Sequence, residues 1–291
     1  MNHSSTTNLK TWIEHIIRDF IQQSPENSLQ NSKNEKAWDN VLVGYSSGSN
    51  PLYDAYKEHV GSFHWTPLEI FSKAFPDSDA KPDELTVISW ILPQREITKD
   101  DNRKETFYPS ERWARARIFG EQFNNKIKNH LVDSIKEKGY RAVAPSLFPE
   151  WAFKQSEKFV FSSNWSERHA AHAAGLGTFG LCDGLITPVG KAMRVGSVVA
   201  QMNIPATPRP YENPFAYCLF LTQGICGKCI ARCPVGAISE SGHDKIKCMG
   251  HLRPGTMEYV KTNYKFDGYG CGLCQTGVPC ESKIPMKQDV V

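Results

Sequence analysis

No apolar run in the 291-residue chain approaches the roughly twenty residues that a membrane-spanning helix requires, and mean hydropathy is negative. The opening stretch MNHSSTTNLKTWIEHIIRDF carries Glu14 and Asp19 inside its apolar pattern. It shows neither the unbroken core of a secretion signal nor a twin-arginine pair. The sequence therefore reads as a cytoplasmic protein with no membrane association. Charge of one sign is also scarce. A net charge of +3 suits an acidic protein, a phosphate-bearing cofactor or RNA equally well and chooses among none of them. No repeat of solenoid period is present.

What the chain does have is cysteine. There are nine, and after Cys182 the other eight, at 218, 226, 229, 233, 248, 271, 274 and 280, all fall in the C-terminal part. A reducing cytoplasm and a chain of this size argue against four disulfides. The run Cys226-Gly-Lys-Cys229-Ile-Ala-Arg-Cys233-Pro234 matches the last three members of C-x2-C-x2-C-x3-C-P, in which neighbouring thiolates wrap one 4Fe-4S cluster and the Cys before Pro reaches the other. Gln223 stands where the first member belongs, and Cys218 is the natural substitute. Crossed connectivity then assigns Cys218, Cys226, Cys229 and Cys280 to one cluster, and Cys233, Cys248, Cys271 and Cys274 to the second. Two C-x2-C pairs would also suit structural zinc, but a zinc ribbon has no use for the Cys-Pro ending or for the remaining cysteines. Gly227, Gly270 and Gly272 suit tight turns that aim backbone amides at cluster sulfides. Cys182, left over, reads as a small buried hydrophobe.

Ahead of the cysteines the pattern alternates between helix and buried strand. Trp12, Ile13, Ile16, Ile17, Phe20 and Ile21 recur at helical spacing, Thr66-Pro67 is a helix start, and Ser110 with Glu111 opens a long helix that Gly139 ends. Val41–Ser49 and the β-branched run Leu85–Leu92 read as strands. Such interleaving over residues 1–205 predicts an α/β domain. The turn-rich ATPRPYEN at 206–213 predicts a junction, with residues 206–291 forming a second, cysteine-rich domain.

Gly175-Leu-Gly177-Thr-Phe-Gly180 satisfies G-x-G-x-x-G. However, the Ala-rich helix-former SERHAAHAA precedes it instead of a strand, and GSVVAQM downstream carries no acid, so it is not a dinucleotide fingerprint. His169 and His172 lie three apart on one face of that helix and titrate near neutral pH if exposed; packing within the helix is the plainer role. Tyr45, in a Gly/Ser loop, is a further candidate proton donor.

The run WSERHAAHAAGLGTFGLCDGLITPVGKAMRVGSVVA (165–200), followed by the eight cysteines and CPVGAI, resembles the epoxyqueuosine reductase and reductive dehalogenase superfamily. The resemblance implies an α+β fold: an α/β nitroreductase-like domain that binds cobalamin, joined to a ferredoxin-like module with two 4Fe-4S clusters that pass electrons to the cobalt. It further implies that Gly175, Gly177 and Gly180 allow close approach of the corrin, with the strand edge Leu185-Ile186-Thr187 beside it. A reduced ferredoxin or flavodoxin-type donor and a small-molecule, nucleoside-like or tRNA substrate follow from the same likeness. Two departures stand out. Phe161 occupies the position of the catalytic Asp of epoxyqueuosine reductases, and Gly180-Leu181-Cys182 replaces their Gly-Lys-Asn. The expected activity is thus a reductase, with electron delivery to a corrinoid or metal centre on another protein as the alternative, and epoxyqueuosine reduction with a relocated acid as a third.

Overall fold

The computed structural model describes residues 3–289, and side chains from Asn8 onward. One four-stranded antiparallel sheet organises the first part of the chain, in the order β1 (Leu42–Ser47), β2 (Thr86–Pro93), β8 (Met193–Ala200), β3 (Ala142–Val143). The central strand β2 is buried along nearly its whole length because its side chains alternate between two apolar layers. On one face Ile88, Trp90 and Leu92 meet α1 (His3–Gln23) and α5 (Glu111–Glu137) through Ile13, Ile17, Ile21, Phe123, Ile127 and Leu131. On the other, Val87 and Val199 meet α2 (Leu52–Val60), α3 (Pro67–Ala74) and α6 (Glu167–Ala173) through Tyr53, Tyr56, Ile70, Phe71, Ala170 and Ala173. Each fully buried aliphatic or aromatic side chain contributes about 1.5–3 kcal/mol, so these two layers dominate the stability.

The helix ends obey their local chemistry. Thr66 caps α3 in a reciprocal capping box with Glu69, Ser110 caps α5 by accepting from the Trp113 amide, and Ser166 caps α6 by accepting from the His169 amide. Between α3 and α5, α4 (Glu96–Lys104) carries Asn102, which ties this half to the cysteine segment. A hairpin of β4 (Phe153–Ser156) and β5 (Val160–Ser163) and a short pair of β6 (Thr178–Phe179) and β7 (Leu185–Ile186) flank α6.

After residue 205 the chain forms short elements: α7 (Leu219–Gln223), α8 (Lys228–Ala231), the hairpin β9 (Ile238–Ser239) and β10 (Gly242–His243), α9 (Lys245–Gly250) and α10 (Thr256–Tyr264). The molecule is therefore a mixture of helix and sheet, with the sheet antiparallel throughout. Among the described residues, no helix is long and apolar enough to cross a membrane.

Candidate functional site

The eight cysteines after residue 217 line two cavities, and they divide between them four and four. A small cavity of about 20 Å³ is bordered by Cys218, Cys226, Cys229 and Cys280. A second, of about 220 Å³, is bordered by Cys233, Cys248, Cys271 and Cys274, with Cys182 also in its wall. These are the two sets that crossed connectivity assigns. Among the described residues no three His, Cys, Asp or Glu side chains are gathered around a single ion; the thiols instead border spaces.

Local backbone conformation explains how short segments turn so many thiols inward. Cys226 and Gly227 both have positive φ, as does Gly272, and these turns bring consecutive C-x-x-C thiols to one side. The Ala237 amide donates to Cys233 Sγ at 3.1 Å, the kind of contact that tunes a metal-bound sulfur. Arg232, between Cys229 and Cys233, donates to the Leu273, Thr276, Glu105 and Asn102 carbonyls and so ties α8 to the Cys271–Cys274 loop and to α4. Burial pushes the Cys271 thiol up to about 11 and raises Cys280. Without a cation these groups are thiols, and a bound iron centre supplies the charge that turns them into thiolates. Arg117, Arg168 and Arg194 stand in the wall of the larger cavity, a positive surround suited to an anionic cluster. Four thiols at each cavity, with arginines around the larger one and Lys191 at the smaller, are the donor chemistry that an iron–sulfur cluster uses.

Cys182 is buried in an apolar cluster with Leu181, Ile186 and Ile238, as the sequence suggests, and it has polar neighbours as well. Its sulfur sits beside Cys229 of one set and Cys274 of the other and accepts from the buried Lys191 Nζ at 3.4 Å. Hydrogen bonds from Cys229 and Cys274, reinforced by the Lys191 charge, hold its thiol well below the usual range. Sequence reasoning passed over Lys191; the only hint was a lysine inside the apolar segment ITPVGKAM.

The two candidate histidines come together on the inner side of α6, with a third, His64, beside them: the His64 and His169 rings are 5.5 Å apart. His169 Nδ1 pairs with Ser166 Oγ at 2.8 Å, and His64 Nδ1 with the Ser163 carbonyl at 3.1 Å. Burial lowers the pKa of all three, that of His172 to about 4, so none is charged at neutral pH. The tyrosine that joins them is Tyr56 of α2, whose hydroxyl lies 2.6 Å from His172 Nδ1. His172 Nε2 is buried without a partner. Tyr45 is elsewhere. It sits on the opposite sheet face with its hydroxyl toward the Lys10 carbonyl and the Glu14 carboxylate of α1, and burial, with Glu14, raises its pKa. Tyr45 therefore lies apart from the histidines, and the tyrosine beside them is Tyr56.

The glycine motif is also placed differently from what the resemblance implies. A Cβ on Gly175 would stand 2.7 Å from the Pro208 carbonyl oxygen, one on Gly177 2.3 Å from the Ile186 carbonyl oxygen, and one on Gly180 3.2 Å from Ile186 Cδ1. The glycines thus admit the chain's own 206–213 segment and β7. Tyr211 completes that closure by accepting from the Gly177 amide and donating to the His172 carbonyl. Leu185, Ile186 and Thr187 are buried, and Thr187 Oγ1 is spent on the Gly190 carbonyl. Gly177 is buried with them, and the space over Gly175 and Gly177 is filled by Pro208 and Ile186, so this segment does not fit a corrin ring laid on its glycines. Phe161, where the acid is expected, gives its carbonyl to Lys245 Nζ at 3.1 Å.

The fold is a mixture of helix and sheet with two four-thiol cavities, and comparison with known proteins narrows the kinship. No family model matches the chain. Over 130 residues it is 32% identical to the epoxyqueuosine reductases of Bacillus anthracis and Bacillus cereus, which is 42% of this chain and 31% of each relative. Among solved structures, an epoxyqueuosine reductase with a tRNA-Tyr epoxyqueuosine-modified stem loop covers 97% of this chain and 67% of that one at TM-score 0.52 and 16% identity. A catabolic reductive dehalogenase covers 95% of this chain and 37% of that one at TM-score 0.50 and 14% identity. The structural likeness is one of fold. With the sequence matches it bears out the resemblance to the epoxyqueuosine reductase and reductive dehalogenase superfamily, while the stretch matched spans about a third of the length of the curated relatives.

Proposed function

We propose that this chain is an iron–sulfur reductase in which Cys218, Cys226, Cys229 and Cys280 hold one 4Fe-4S cluster and Cys233, Cys248, Cys271 and Cys274 hold another, charged by a reduced ferredoxin or flavodoxin-type donor. What carries the reading is the partition of eight thiols into two cavities in the same two sets of four that their spacing assigns. Two one-electron centres side by side store the pair of electrons that a reductive bond cleavage consumes. The nitroreductase-like character of residues 1–205 and the ferredoxin-like character of residues 206–291 belong to this proposal.

The protons come from this chain's own residues. In this reading Tyr56 is assigned as the donor to His172 Nδ1, the tautomer that carries the proton of the neutral imidazole on Nε2, the atom without a partner. We read the pair as a relay: Nε2 gives its proton to the basic substrate atom left by the two-electron cleavage while Nδ1 takes one from the phenol, and the phenolate, which burial disfavours, is reprotonated from solvent.

Cobalamin is the acceptor that the family implies. Because Pro208 and Ile186 fill the space over Gly175 and Gly177, no step is routed through it here. That closure, together with Phe161, favours a second reading, in which the clusters deliver electrons to a corrinoid or metal centre held by a partner protein. A tRNA substrate rests on the relative's complex alone. The test is anaerobic cluster assembly followed by titration with cobalamin. About eight irons per chain and a 4Fe-4S electron paramagnetic resonance signal support the cluster reading, and an iron-free protein overturns it. A base-off visible shift places the acceptor on this chain. No shift, with re-reduction of a separately added corrinoid protein, places it on the partner.

A further inference from the structure

Lys191 is 3% exposed. Its aliphatic stem passes over Gly184, where a Cβ would stand 3.0 Å from Lys191 Cδ, and its Nζ ends on Cys182 Sγ at 3.4 Å. It borders the smaller cavity together with all four thiols of that set, and its charge is felt by Cys280, Cys274 and Cys229, which come from both sets. Its position is fixed from the backbone: the Lys191 amide donates to the Cys280 and Glu281 carbonyls at 2.8 and 3.0 Å, and the Ala192 amide to Glu281 at 3.1 Å. Cys182, its partner, lies in the wall of the larger cavity. The lysine and cysteine together therefore span the partition between the two sites.

No carboxylate pairs with Lys191 among the described residues; its side-chain partner is a sulfur. A buried ammonium without a carboxylate is expensive unless other negative charge surrounds it. A four-thiolate cubane provides that charge, as a dianion when oxidised and a trianion when reduced, and net charge near a cluster is one of the levers that set its potential.

Resting on the two-cluster reading above, we propose that the Lys191 ammonium, paired with Cys182 between the two sites, is a shared positive charge that raises the reduction potential of both clusters. Each electron adds negative charge next to a cation that burial cannot dilute with water. Lys191 is a positioning residue in this role: it ligates no iron and moves no proton.

The experiment is a redox titration of the assembled, full-length protein followed by electron paramagnetic resonance, with iron counted first. In Lys191→Met both clusters become harder to reduce, with the reduced-to-oxidised ratio at a fixed potential falling at least tenfold, equivalent to about 59 mV for one electron. Lys191→Arg keeps both ratios within about threefold. Cys182→Ala leaves the ammonium in place and keeps both ratios within about threefold. If the wild type carries no iron, the proposal falls with the two-cluster reading, and the iron count identifies that case. With iron present, unchanged potentials in Lys191→Met overturn the proposal, and a shift in one cluster alone overturns the sharing. Should Lys191→Met fail to hold iron, Lys191→Gln, which keeps a polar head without the charge, decides: unchanged potentials in that variant overturn the proposal.

Discussion

The hydroxyl of Tyr56 and Nδ1 of His172 meet at 2.6 Å across 116 residues of sequence, joining α2 to α6. Removing the hydroxyl in Tyr56→Phe leaves a buried imidazole nitrogen without a donor, which costs about 1–3 kcal/mol of stability. In a reductive assay it also breaks the proton relay, so turnover falls by about 100-fold while iron content stays at the wild-type level. Chemical denaturation and single-turnover kinetics on the same preparation separate the two effects. Wild-type turnover in Tyr56→Phe would remove the dyad from the mechanism.

The histidine cluster also fixes a pH window. His172, with its pKa lowered to about 4 by burial and by the Arg209 charge, is neutral in the fold but titrates near 6.5 in the unfolded chain. As pH falls below 6.5 the unfolded chain takes up its proton first, so stability is full above 6.5 and is lost progressively toward about 4. The loss is about 2–3 kcal/mol for this one group, and burial of His64 and His169 adds to it in the same direction. Denaturation midpoints measured between pH 7 and 4.5 fall accordingly, and His172→Gln flattens the slope. An unchanged slope in that variant would show that His172 does not titrate in this range.

Glu35 acts in a lower window. The Arg112 guanidinium, at 2.8 Å, holds its carboxyl down to about 2, against about 4.3 when unfolded. The pair's contribution is present above that unfolded value and is lost as pH falls from there toward 2. With both side chains partly screened by solvent, about 1–2 kcal/mol is expected. Glu35→Gln removes it at pH 7, so the variant and wild type converge in stability near pH 2.

Much of this was legible because it is local. The caps at Thr66 and Ser110 act within one turn of themselves, β2 announces its burial by composition, and C-x-x-C spacing divides the thiols before any fold is known. What was hidden depends on distant parts meeting. Tyr45 on β1 and Tyr56 on α2 are both tyrosines early in the chain, and only the packing of α1 on one face of the sheet and of α2 and α6 on the other sends one to Glu14 and the other to His172. The glycines at 175 and 177 advertise close approach, but not that Pro208 and Ile186 are what approaches. Cys182 has no cysteine near it in sequence, so its place between Cys229 and Cys274 could come only from three dimensions.

Asn102 links the two parts of the chain. Fully buried, its amide donates to the Cys271 carbonyl at 3.2 Å and to Thr276 Oγ1 at 3.1 Å, and its Oδ1 accepts from the Ser110 amide at 2.9 Å. Asn102→Ala orphans the Ser110 amide at the cap of α5 and frees the Cys271 loop, costing about 2–4 kcal/mol. Because Cys271 is assigned to the second cluster alone, that cluster is lost first. The iron count falls toward half while the signal of the first cluster persists. Equal loss of both clusters would indicate global unfolding instead.

Two glycines with nearly the same backbone angle provide a matched final test. Gly190 has φ +86 and Gly139 has φ +87, so alanine at either carries a similar left-handed penalty of about 1 kcal/mol. Their surroundings differ. A Cβ at Gly139 meets nothing within 4 Å, whereas one at Gly190 would stand 2.0 Å from the Glu281 carbonyl oxygen. To make room, Gly190→Ala must pull the Lys191 and Ala192 amides away from Cys280 and Glu281, breaking the seam between the start of β8 and the last thiol of the first set. Gly139→Ala is expected to cost about 1 kcal/mol and leave iron content intact, while Gly190→Ala costs at least about 3 kcal/mol and depletes the first cluster. Denaturation curves and iron content of the two variants side by side check this, and equal costs would mean that the packing of Gly190 on Glu281 contributes nothing beyond backbone strain.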